Sequence, residues 1–264
     1  MTDSSITLPR GSIIDKIVQR AKNKSLIEII KLVIFKLILI KYRWQYPQVT
    51  FGAGVKIKGA FSVEGKGKVV IGDYCSFVAT KNLPNKITVR DSSACVSIGS
   101  HCSIAGSIIA LEGKGSIKIG NDCHFANYYG VQNIITSRGN AGFITVGNHC
   151  YFNGTNILSE SSIDLEKLCM VSDALIMDTD AHSIEINRWS PKAITKTKPI
   201  YINENVWIAS KSAVLKGVKI GRNSIVGLGT IVRQSVPENV VVIGNPQQIV
   251  KHLDSTVLPY EFPT

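Results

Sequence analysis

The sequence predicts an all-β protein in which a parallel β-helix follows an N-terminal helical region. Three observations support this fold class. A motif of about six residues recurs along most of the chain, one position of that motif holds only small side chains, and the basic N-terminal segment lacks the motif. Short strands that stack in register bury a narrow column of side chains, which is the arrangement that such repeats produce. With 264 residues and 44% hydrophobic content, the chain is large enough for one well-packed unit.

The recurring motif consists of an aliphatic residue, Gly, two polar residues, Cys, one variable residue and an apolar residue. Its seven full or imperfect copies begin at Ile71, Ile98, Ile119, Val146, Leu165, Ile202 and Ile220. Its fifth position is occupied in turn by Cys75, Cys102, Cys123, Cys150, Cys169, Val206 and Ser224. We expect this position to point into a crowded core, where only small side chains fit.

Five of the six cysteines occupy that one position of the motif. Free cysteine is among the most buried residue types, so these thiols are interpreted as compact hydrophobic side chains. Their regular placement and the absence of a C-x-x-C pair argue against disulfides and against a metal site. Reduced cysteines are typical of cytosolic proteins, and we therefore expect a cytoplasmic location.

The intervals between motif copies measure 27, 21, 27, 19, 37 and 18 residues. If the shortest interval is one uninterrupted coil of three sides, the longest interval carries the longest loop, which we place at 172–199. Loops that project from a rigid solenoid are common sites of function. We expect three regions: 1–48 as a helical cap or membrane-surface region, 49–252 as the β-helix, and 253–264 as a tail.

The N-terminal region carries much of the positive charge. Residues 10–43 contain nine Lys or Arg against two acidic residues, a net +7 out of +11 for the whole chain. Residues 26–40 are apolar but are interrupted by charge too often for a membrane span, and no signal-peptide cleavage site follows. Two interpretations stay open: a cap on the first coil, or a basic helix on an anionic membrane face, flanked by Tyr42, Trp44 and Tyr46.

The charge pattern and the glycines exclude two other function classes. The Gly and Lys residues between 52 and 119 mark turns, and the string that defines a P-loop is absent. Nucleic-acid binding is not expected, because the excess charge is confined to one helical segment and aromatic residues make up only 7% of the chain.

The C-terminal strings 205–208, 214–221, 226–232, 236–239 and 244–246 resemble those of the hexapeptide-repeat acyltransferases, most of all their sugar and polysaccharide O-acetyltransferase branch. The resemblance extends in pattern from Gly52 to Leu253 and leaves out the N-terminal region. It implies a left-handed β-helix, a homotrimer, acetyl-CoA as acyl donor in the groove between neighbouring subunits, and a general-base histidine on a projecting loop.

His182, in the long loop, is the candidate general base. A sugar hydroxyl is too weak an acid to ionise near neutral pH, so a neutral imidazole is suited to accept its proton during attack on the thioester. Asp180 is expected to orient the ring or to stabilise the imidazolium, the alternative being a residue of a local turn. The resemblance places the donor for the developing oxyanion at the backbone N–H of Ser210.

Several residues are candidates for acceptor binding. Trp207 is expected to wall the acceptor or thioester region, the alternative being ordinary packing at a subunit interface. Asn153 matches a family asparagine near the acceptor, the alternative being a coil corner. By chemistry alone, the further candidate sugar contacts are Tyr128, Tyr129, Arg188 and Trp189.

For the donor, the resemblance implies that the pantetheine arm follows small residues and that basic residues meet the phosphates. The residues expected along the arm are Trp207, Ala209, Ser210, Gly227 and Leu228, and those expected at the phosphates are Arg233 and Lys251. Gln234 and Gln248 stand where relatives are often basic, and Ala209 replaces a common Gly. Phosphate contacts are therefore expected to be fewer or to come from elsewhere.

Together these features lead us to expect direct acetyl transfer from acetyl-CoA to a hydroxyl of a surface saccharide such as capsule, lipopolysaccharide O-antigen or a related glycan. Three alternatives stay open: a sugar-amine N-acetyltransferase, an antibiotic-modifying acetyltransferase, and a β-helix module without catalysis. The histidines at 101, 124 and 149 are expected to be structural, and no metal is expected.

Overall fold

The computed structural model describes residues 26–80, 82–128, 130–139 and 142–256. Within these ranges one long helix, α1 (Leu26–Gln45), precedes 26 short strands. In chain order the strands are β1 (Val49–Phe51), β2 (Lys56–Lys58), β3 (Phe61–Gly65), β4 (Lys68–Ile71), β5 (Ser76–Val78), β6 (Asn85–Val89), β7 (Cys95–Ile98), β8 (Ser103–Ala105), β9 (Ser107–Leu111), β10 (Ser116–Ile119), β11 (His124–Ala126), β12 (Asn133–Ser137), β13 (Phe143–Val146), β14 (Tyr151–Asn153), β15 (Asn156–Ser159), β16 (Ser162–Leu165), β17 (Met170–Ser172), β18 (Leu175–Met177), β19 (Ile200–Ile202), β20 (Trp207–Ile208), β21 (Ala213–Leu215), β22 (Lys219–Ile220), β23 (Ile225–Val226), β24 (Ile231–Val232), β25 (Val240–Ile243) and β26 (Gln248–His252).

The strands form three sheets, and each coil of the chain contributes one strand to each sheet. The first sheet has the order β1-β4-β7-β10-β13-β16-β19-β22, the second β2-β5-β8-β11-β14-β17-β20-β23-β25-β26, and the third runs from β3 to β24. Pairing is parallel throughout, except for the antiparallel pair β25 and β26 at the C-terminal end. The predicted fold class is confirmed, since three parallel sheets around one core are consistent with a left-handed β-helix.

The structure contains one more coil than the seven that the motif indicated. The additional first coil consists of β1, β2 and β3, and its corner is the segment that begins at Phe51 and Gly52. Phe51 and Val55 stand where the later copies have an aliphatic residue and Cys, and both are buried. The motif search missed this coil because an aromatic residue occupies its first position.

The small fifth position of the motif forms an internal column, as predicted. The five column cysteines are free and almost fully inaccessible. Each thiol lies close to the backbone of the next coil: the Sγ atoms of Cys102 and Cys123 donate to the carbonyl oxygens of Gly120 and Gly147, each over 3.2 Å. Beside this column, large side chains also stack from coil to coil, as the rings of Phe125 and Phe152 do at 4.7 Å.

The backbone conformation at the corner between the first and second sheets explains why two histidines occupy the same position of the motif. His101 and His149 have φ angles of 60° and 57°, in the left-handed region that histidine and asparagine tolerate better than most residues. The ring of His101 stacks on Tyr74, which occupies the same corner of the preceding coil, at 5.2 Å. These contacts account for the histidines as parts of the scaffold.

Helix α1 packs over the first coil with one side. Its partly buried residues Ile38, Leu39 and Tyr42 contact the core, and the ring of Tyr42 meets Phe61 edge-on at 5.3 Å. This packing favours the cap interpretation of the N-terminal region, whose residues 1–25 lie outside the described ranges, as do residues 257–264 of the predicted tail. In the described part of the chain, no helix combines the length and the apolar character that crossing a membrane requires.

The long loop begins later than the sequence indicated. Residues 175–177 form β18, which pairs in register with β15, so the projecting segment is 178–199 rather than 172–199. The apolar run from Leu175 to Met177 was assigned to the loop because it lacks the motif, although it provides the third side of its coil.

The buried cysteine column should make the protein less stable at alkaline pH. Stacked thiols and burial raise the pKa of Cys102, Cys123 and Cys150 to about 12, whereas an unfolded thiol ionises near pH 8.5. The stability that a protonated folded thiol contributes is complete below about pH 8.5 and is lost as the pH rises toward 12, by about 1.4 kcal/mol per pH unit for each thiol.

Between pH 8.5 and pH 10.5, Cys123→Val should therefore lose about 2–3 kcal/mol less unfolding free energy than the wild type in urea titrations.

Valine is a matched replacement because Val206 occupies the same column. Cys95→Val is the control, since Cys95 lies outside the column and is only half-buried. An identical pH dependence of the wild type and Cys123→Val would contradict the prediction.

Candidate active site

The second sheet carries an open cleft at the corner where the chain turns toward the third sheet. It has a volume of about 320 Å³ and is lined mostly by apolar and small side chains. Its lining residues are Ser172, Trp207, Ala209, Ser210, Ile225, Gly227 and Leu228. Five of these seven were singled out from the sequence, so the structure brings those five together in one place.

Strand register positions Trp207 at this cleft. Trp207 pairs with Met170 of the preceding coil and with Ile225 of the following one, so all three side chains project from the same face of the second sheet. The indole remains 42% exposed. A large flat ring beside small residues makes one apolar wall of the cleft.

The backbone N–H of Ser210 is open toward possible ligands. Within the described residues no acceptor receives this N–H, whereas the neighbouring N–H of Ala209 donates to the carbonyl of Val226 over 2.9 Å. The Ser210 carbonyl accepts from the N–H of Gly229 over 3.0 Å, which fixes the orientation of the turn. The cleft thus presents an unsatisfied backbone donor beside an apolar surface.

The projecting loop 178–199 has a neck in which its two ends pair. The N–H of Lys198 donates to the carbonyl of Asp178 over 2.9 Å, and the N–H of Asp180 donates to that of Lys196 over 3.1 Å. Thr179 and Thr197 form an isolated antiparallel bridge between these contacts. The neck therefore holds the segment that carries His182 at a fixed point of the solenoid.

Asp178 anchors this neck to the preceding coil. Its side chain is fully buried and accepts hydrogen bonds from the Ser159 hydroxyl over 2.8 Å and from the backbone N–H groups of Glu160 and Ser161 over 2.8 and 2.9 Å. A buried carboxylate is stable only when its oxygens are satisfied in this way. Sequence analysis did not identify Asp178, because an Asp in a loop carries no signal of burial.

Asp180 forms an ion pair with Lys216, which follows β21 on the next coil. Its other carboxylate oxygen, Oδ2, is buried and has no hydrogen-bond partner within the described residues. The structure therefore places a cation beside Asp180 and leaves one of its oxygens unused. Orientation of the His182 ring by this carboxylate stays a prediction.

His182 lies two residues beyond the neck, on a tight turn. Its N–H donates to the carbonyl of Asp180 over 2.7 Å, and Ala181 between them has a φ of 60°. Every other non-glycine residue with positive φ in the described ranges lies at a corner of a coil, so Ala181 is the one case in the projecting loop. Such backbone strain is concentrated at functional sites in proteins. The imidazole itself is exposed.

The cleft and His182 lie at different corners of the same protomer. The cleft follows the strands of the second sheet, whereas the loop leaves the coil between β18 of the third sheet and β19 of the first. His182 is not among the residues that line the cleft. A single described chain therefore does not bring the predicted base to the predicted donor site.

The predicted acceptor contacts are dispersed. Asn153 is buried one coil before Ser172 and in register with it, and its Oδ1 accepts from the backbone N–H of Tyr128 over 3.0 Å. The Tyr128 side chain is exposed, while Tyr129 lies outside the described residues. Arg188 and Trp189 are exposed near the tip of the long loop.

The two predicted phosphate ligands lie outside the cleft. Arg233 follows β24 and Lys251 lies in β26, and both are exposed. Gln247 stabilises the backbone at Arg233, because its Oε1 accepts from the Arg233 N–H over 2.7 Å. Their role in binding phosphates stays a prediction.

Sequence reasoning missed three residues of this region. Ser172 and Ile225 line the cleft, and a register argument could have found them, since they stack against Asn153 and Trp207 respectively. Lys216 gave no signal, because its approach to Asp180 depends on how the loop neck folds over the next coil.

Comparison with known proteins finds acetyltransferases among those that the chain is similar to. No protein-family model matches the chain. It is 29% identical over 100 residues to a galactoside O-acetyltransferase of Lactococcus lactis subsp. lactis, a match that covers 38% of this chain and 48% of that protein. The chain spans less than half the length of the curated relatives that it matches first.

Solved structures give a similar result. The polysialic acid O-acetyltransferase OatWY has a TM-score of 0.49 and 22% identity over 81% of this chain and 92% of its own. A hexapeptide-repeat-containing acetyltransferase of Vibrio cholerae, in complex with acetyl-CoA, has a TM-score of 0.39 and 21% identity over 56% of this chain and 71% of its own. The predicted resemblance to acetyltransferases agrees with the curated relatives that the chain matches, which are named acetyltransferases, one of them the galactoside O-acetyltransferase.

The Asp178 anchor leads to a prediction on stability. Asp178→Ala leaves two backbone N–H groups and one hydroxyl without their acceptor, so it should lower the unfolding free energy by about 3 kcal/mol, whereas Asp178→Asn should cost less. Urea titrations provide the measurement, with the outward-facing Asp164→Ala as matched control. Equal stability of Asp178→Ala and the control would show that the neck does not depend on this carboxylate.

Proposed function

We propose that this protein is an O-acetyltransferase that moves an acetyl group from acetyl-CoA to a hydroxyl of a surface saccharide, in sites assembled between the subunits of a homotrimer. The observation that carries the proposal is the clustering of Trp207, Ala209, Ser210, Gly227 and Leu228 in one cleft. The saccharide acceptor is supported by the name of the matched galactoside O-acetyltransferase.

The cleft suits the donor arm of acetyl-CoA. Ala209 and Gly227 leave the backbone accessible, and Trp207, Ile225 and Leu228 offer apolar contact along one side. A narrow pantetheine chain that carries amides and a thioester needs both kinds of surface. The exposed Arg233 and Lys251 are the candidate cations for its phosphates.

Two groups of the chain are proposed to handle charge during transfer. As the acceptor oxygen attacks the thioester carbon, its proton passes to the His182 imidazole, and the carbonyl oxygen gains negative charge beside the Ser210 N–H. Collapse of the tetrahedral intermediate expels the CoA sulfur, which takes the proton back from the imidazolium. The products are an acetyl ester and CoA with a free thiol, and no acyl-enzyme is formed.

The separation of the two corners supports assembly between subunits. Because the cleft lies between the second and third sheets and the His182 loop between the third and first, two copies that face each other can join one corner of each. A ring of three such contacts closes with every site complete. The ion pair of Asp180 with Lys216 then fixes the loop from within its own protomer.

Replacing the base tests the role of His182. His182→Ala should lower kcat for acetyl transfer by roughly 10²- to 10⁴-fold, the usual contribution of a positioned general base. Binding of CoA, measured by calorimetry, should be retained, because His182 lies outside the cleft. His252→Ala, an exposed histidine in β26, is the matched control.

A His182→Ala enzyme with activity close to that of the wild type would remove this residue from the mechanism. In the same experiment, intact-mass spectrometry with acetyl-CoA alone should show no acetylated chain. A panel of hydroxyl-only glycans and amino sugars identifies the nucleophile, and acetylation of amines alone would contradict the proposed O-acetyl transfer.

Mixing two impaired variants tests assembly between subunits. Ala209→Leu extends a side chain into the cleft and should weaken CoA binding at least about tenfold, or about 1.4 kcal/mol. When His182→Ala and Ala209→Leu subunits are unfolded together and refolded as mixed trimers, roughly a quarter of the sites regain an intact base and an intact cleft. At subsaturating acetyl-CoA, the mixed trimers should therefore transfer acetyl faster than either variant alone.

The control for Ala209→Leu is Ala105→Leu, which adds the same side chain at the corresponding position four coils earlier. It should leave both CoA binding and transfer unchanged. Mixed trimers that are no faster than the faster of the two variants, with their composition verified by native mass spectrometry, would place base and cleft in the same subunit.

A further inference from the structure

Helix α1 has two apolar sides, and only one of them is covered by the described residues, which leave out 1–25. Ile38, Leu39, Tyr42 and Tyr46 pack on the first coil. A second set, spaced by three and four residues and therefore aligned along one stripe, faces away from the core and is between 41% and 88% exposed. Its members are Ile27, Ile30, Val33, Ile34, Leu37, Ile40 and Trp44.

An exposed stripe of seven large apolar side chains marks an interaction surface. The aromatic contacts on the other side hold the helix against the coil: the rings of Tyr42 and Tyr46 stack at 5.9 Å, and both meet Phe61 edge-on. In addition, Arg43 donates to the carbonyl of Phe51 over 3.0 Å. These contacts orient the stripe away from the first coil.

The charges around this stripe identify the kind of partner. Residues 26–71, which comprise α1, the first coil and β4 of the second coil, contain eight Lys or Arg and two Glu, a net +6, whereas residues 72–264 have a net charge of only +2. The basic side chains of the helix are Lys31, Lys36, Lys41 and Arg43, and those that follow it are Lys56 and Lys58 in the first coil, Lys66 in the turn after it and Lys68 at the start of the second coil, all exposed. Positive charge is thus concentrated at the end of the solenoid that bears the stripe.

We propose that α1 lies on an anionic lipid surface, with its apolar stripe in the boundary between headgroups and acyl chains and its lysines at the phosphates. An interfacial helix combines a buried apolar face with flanking Lys and Arg and an aromatic residue at the boundary, which here is Trp44. A second copy of the chain fits less well, since it would bring two clusters of net +6 together with only Glu28 and Glu64 to offset them. A soluble polyanion would use the charges but not the apolar stripe.

Vesicle sedimentation with the full chain tests this surface and requires neither acetyl-CoA nor an acceptor. The wild type should bind vesicles of phosphatidylcholine containing about one third phosphatidylglycerol, should bind phosphatidylcholine alone much more weakly, and should be released by high salt. Leu37→Glu with Ile40→Glu should reduce the partition coefficient at least about tenfold. Lys36→Gln and Lys41→Gln should each reduce it about fivefold.

Ile186→Glu is the matched control, because Ile186 is 99% exposed on the distant long loop and should not alter vesicle binding. Thermal unfolding verifies that the helix variants are folded. Failure of the wild type to bind anionic vesicles, or binding that is unaffected by Leu37→Glu with Ile40→Glu, would overturn the proposal. So would loss of the native oligomer in that variant by light scattering, since the stripe would then be a contact between subunits.

Discussion

The close approach of successive coils at one corner is the constraint on which the structure depends. A Cβ atom at Gly99 would lie 2.6 Å from the backbone of Gly120, and one at Gly120 would lie 2.7 Å from that of Gly147. Glycine is therefore required at these two positions, whereas the copies that begin at Leu165 and Ile202 have Glu166 and Asn203 there. Three residues further on, the chain has turned inward and has room only for a small side chain, which explains the column of cysteines.

This constraint applies to the residues that form the scaffold and not to the residues that are available for function. Inward positions are determined by stacking, whereas outward positions of the same strands are free to differ from coil to coil. On the second sheet, His124, Tyr151, Met170 and Trp207 follow one another in register on the outer face. The rings of His124 and Tyr151 stack at 5.5 Å, and Trp207 extends the row to the cleft, where Ile225 follows it in register. The residues of the candidate site thus lie on the outer face, where packing of the core does not determine the side chain.

The sequence predicted the fold well because the motif records a contact between adjacent coils at every repeat. It missed the first coil, where Phe51 replaces the aliphatic residue, and it placed the start of the long loop too early because β18 carries no motif. Five cleft residues were predicted from local strings. The pairing of Asp180 with Lys216 and the burial of Asp178 were not, because both depend on how a 22-residue insertion folds back on its neighbours. Contacts of this kind do not recur from coil to coil, so the repeating motif cannot predict them.

The two ends of the solenoid differ in chemistry, and their separation constrains the acceptor. The cap and its positive charge belong to the first coil, while the cleft is built from the sixth, seventh and eighth coils. Parallel strands are spaced by about 4.8 Å, so six steps separate the first coil from the seventh by roughly 30 Å. If the cap rests on lipid, a hydroxyl that reaches Trp207 must extend that far from the headgroups. A saccharide chain of several units spans this distance, whereas a single sugar linked directly to a lipid does not, so the proposed function and the proposed lipid contact together favour extended acceptors.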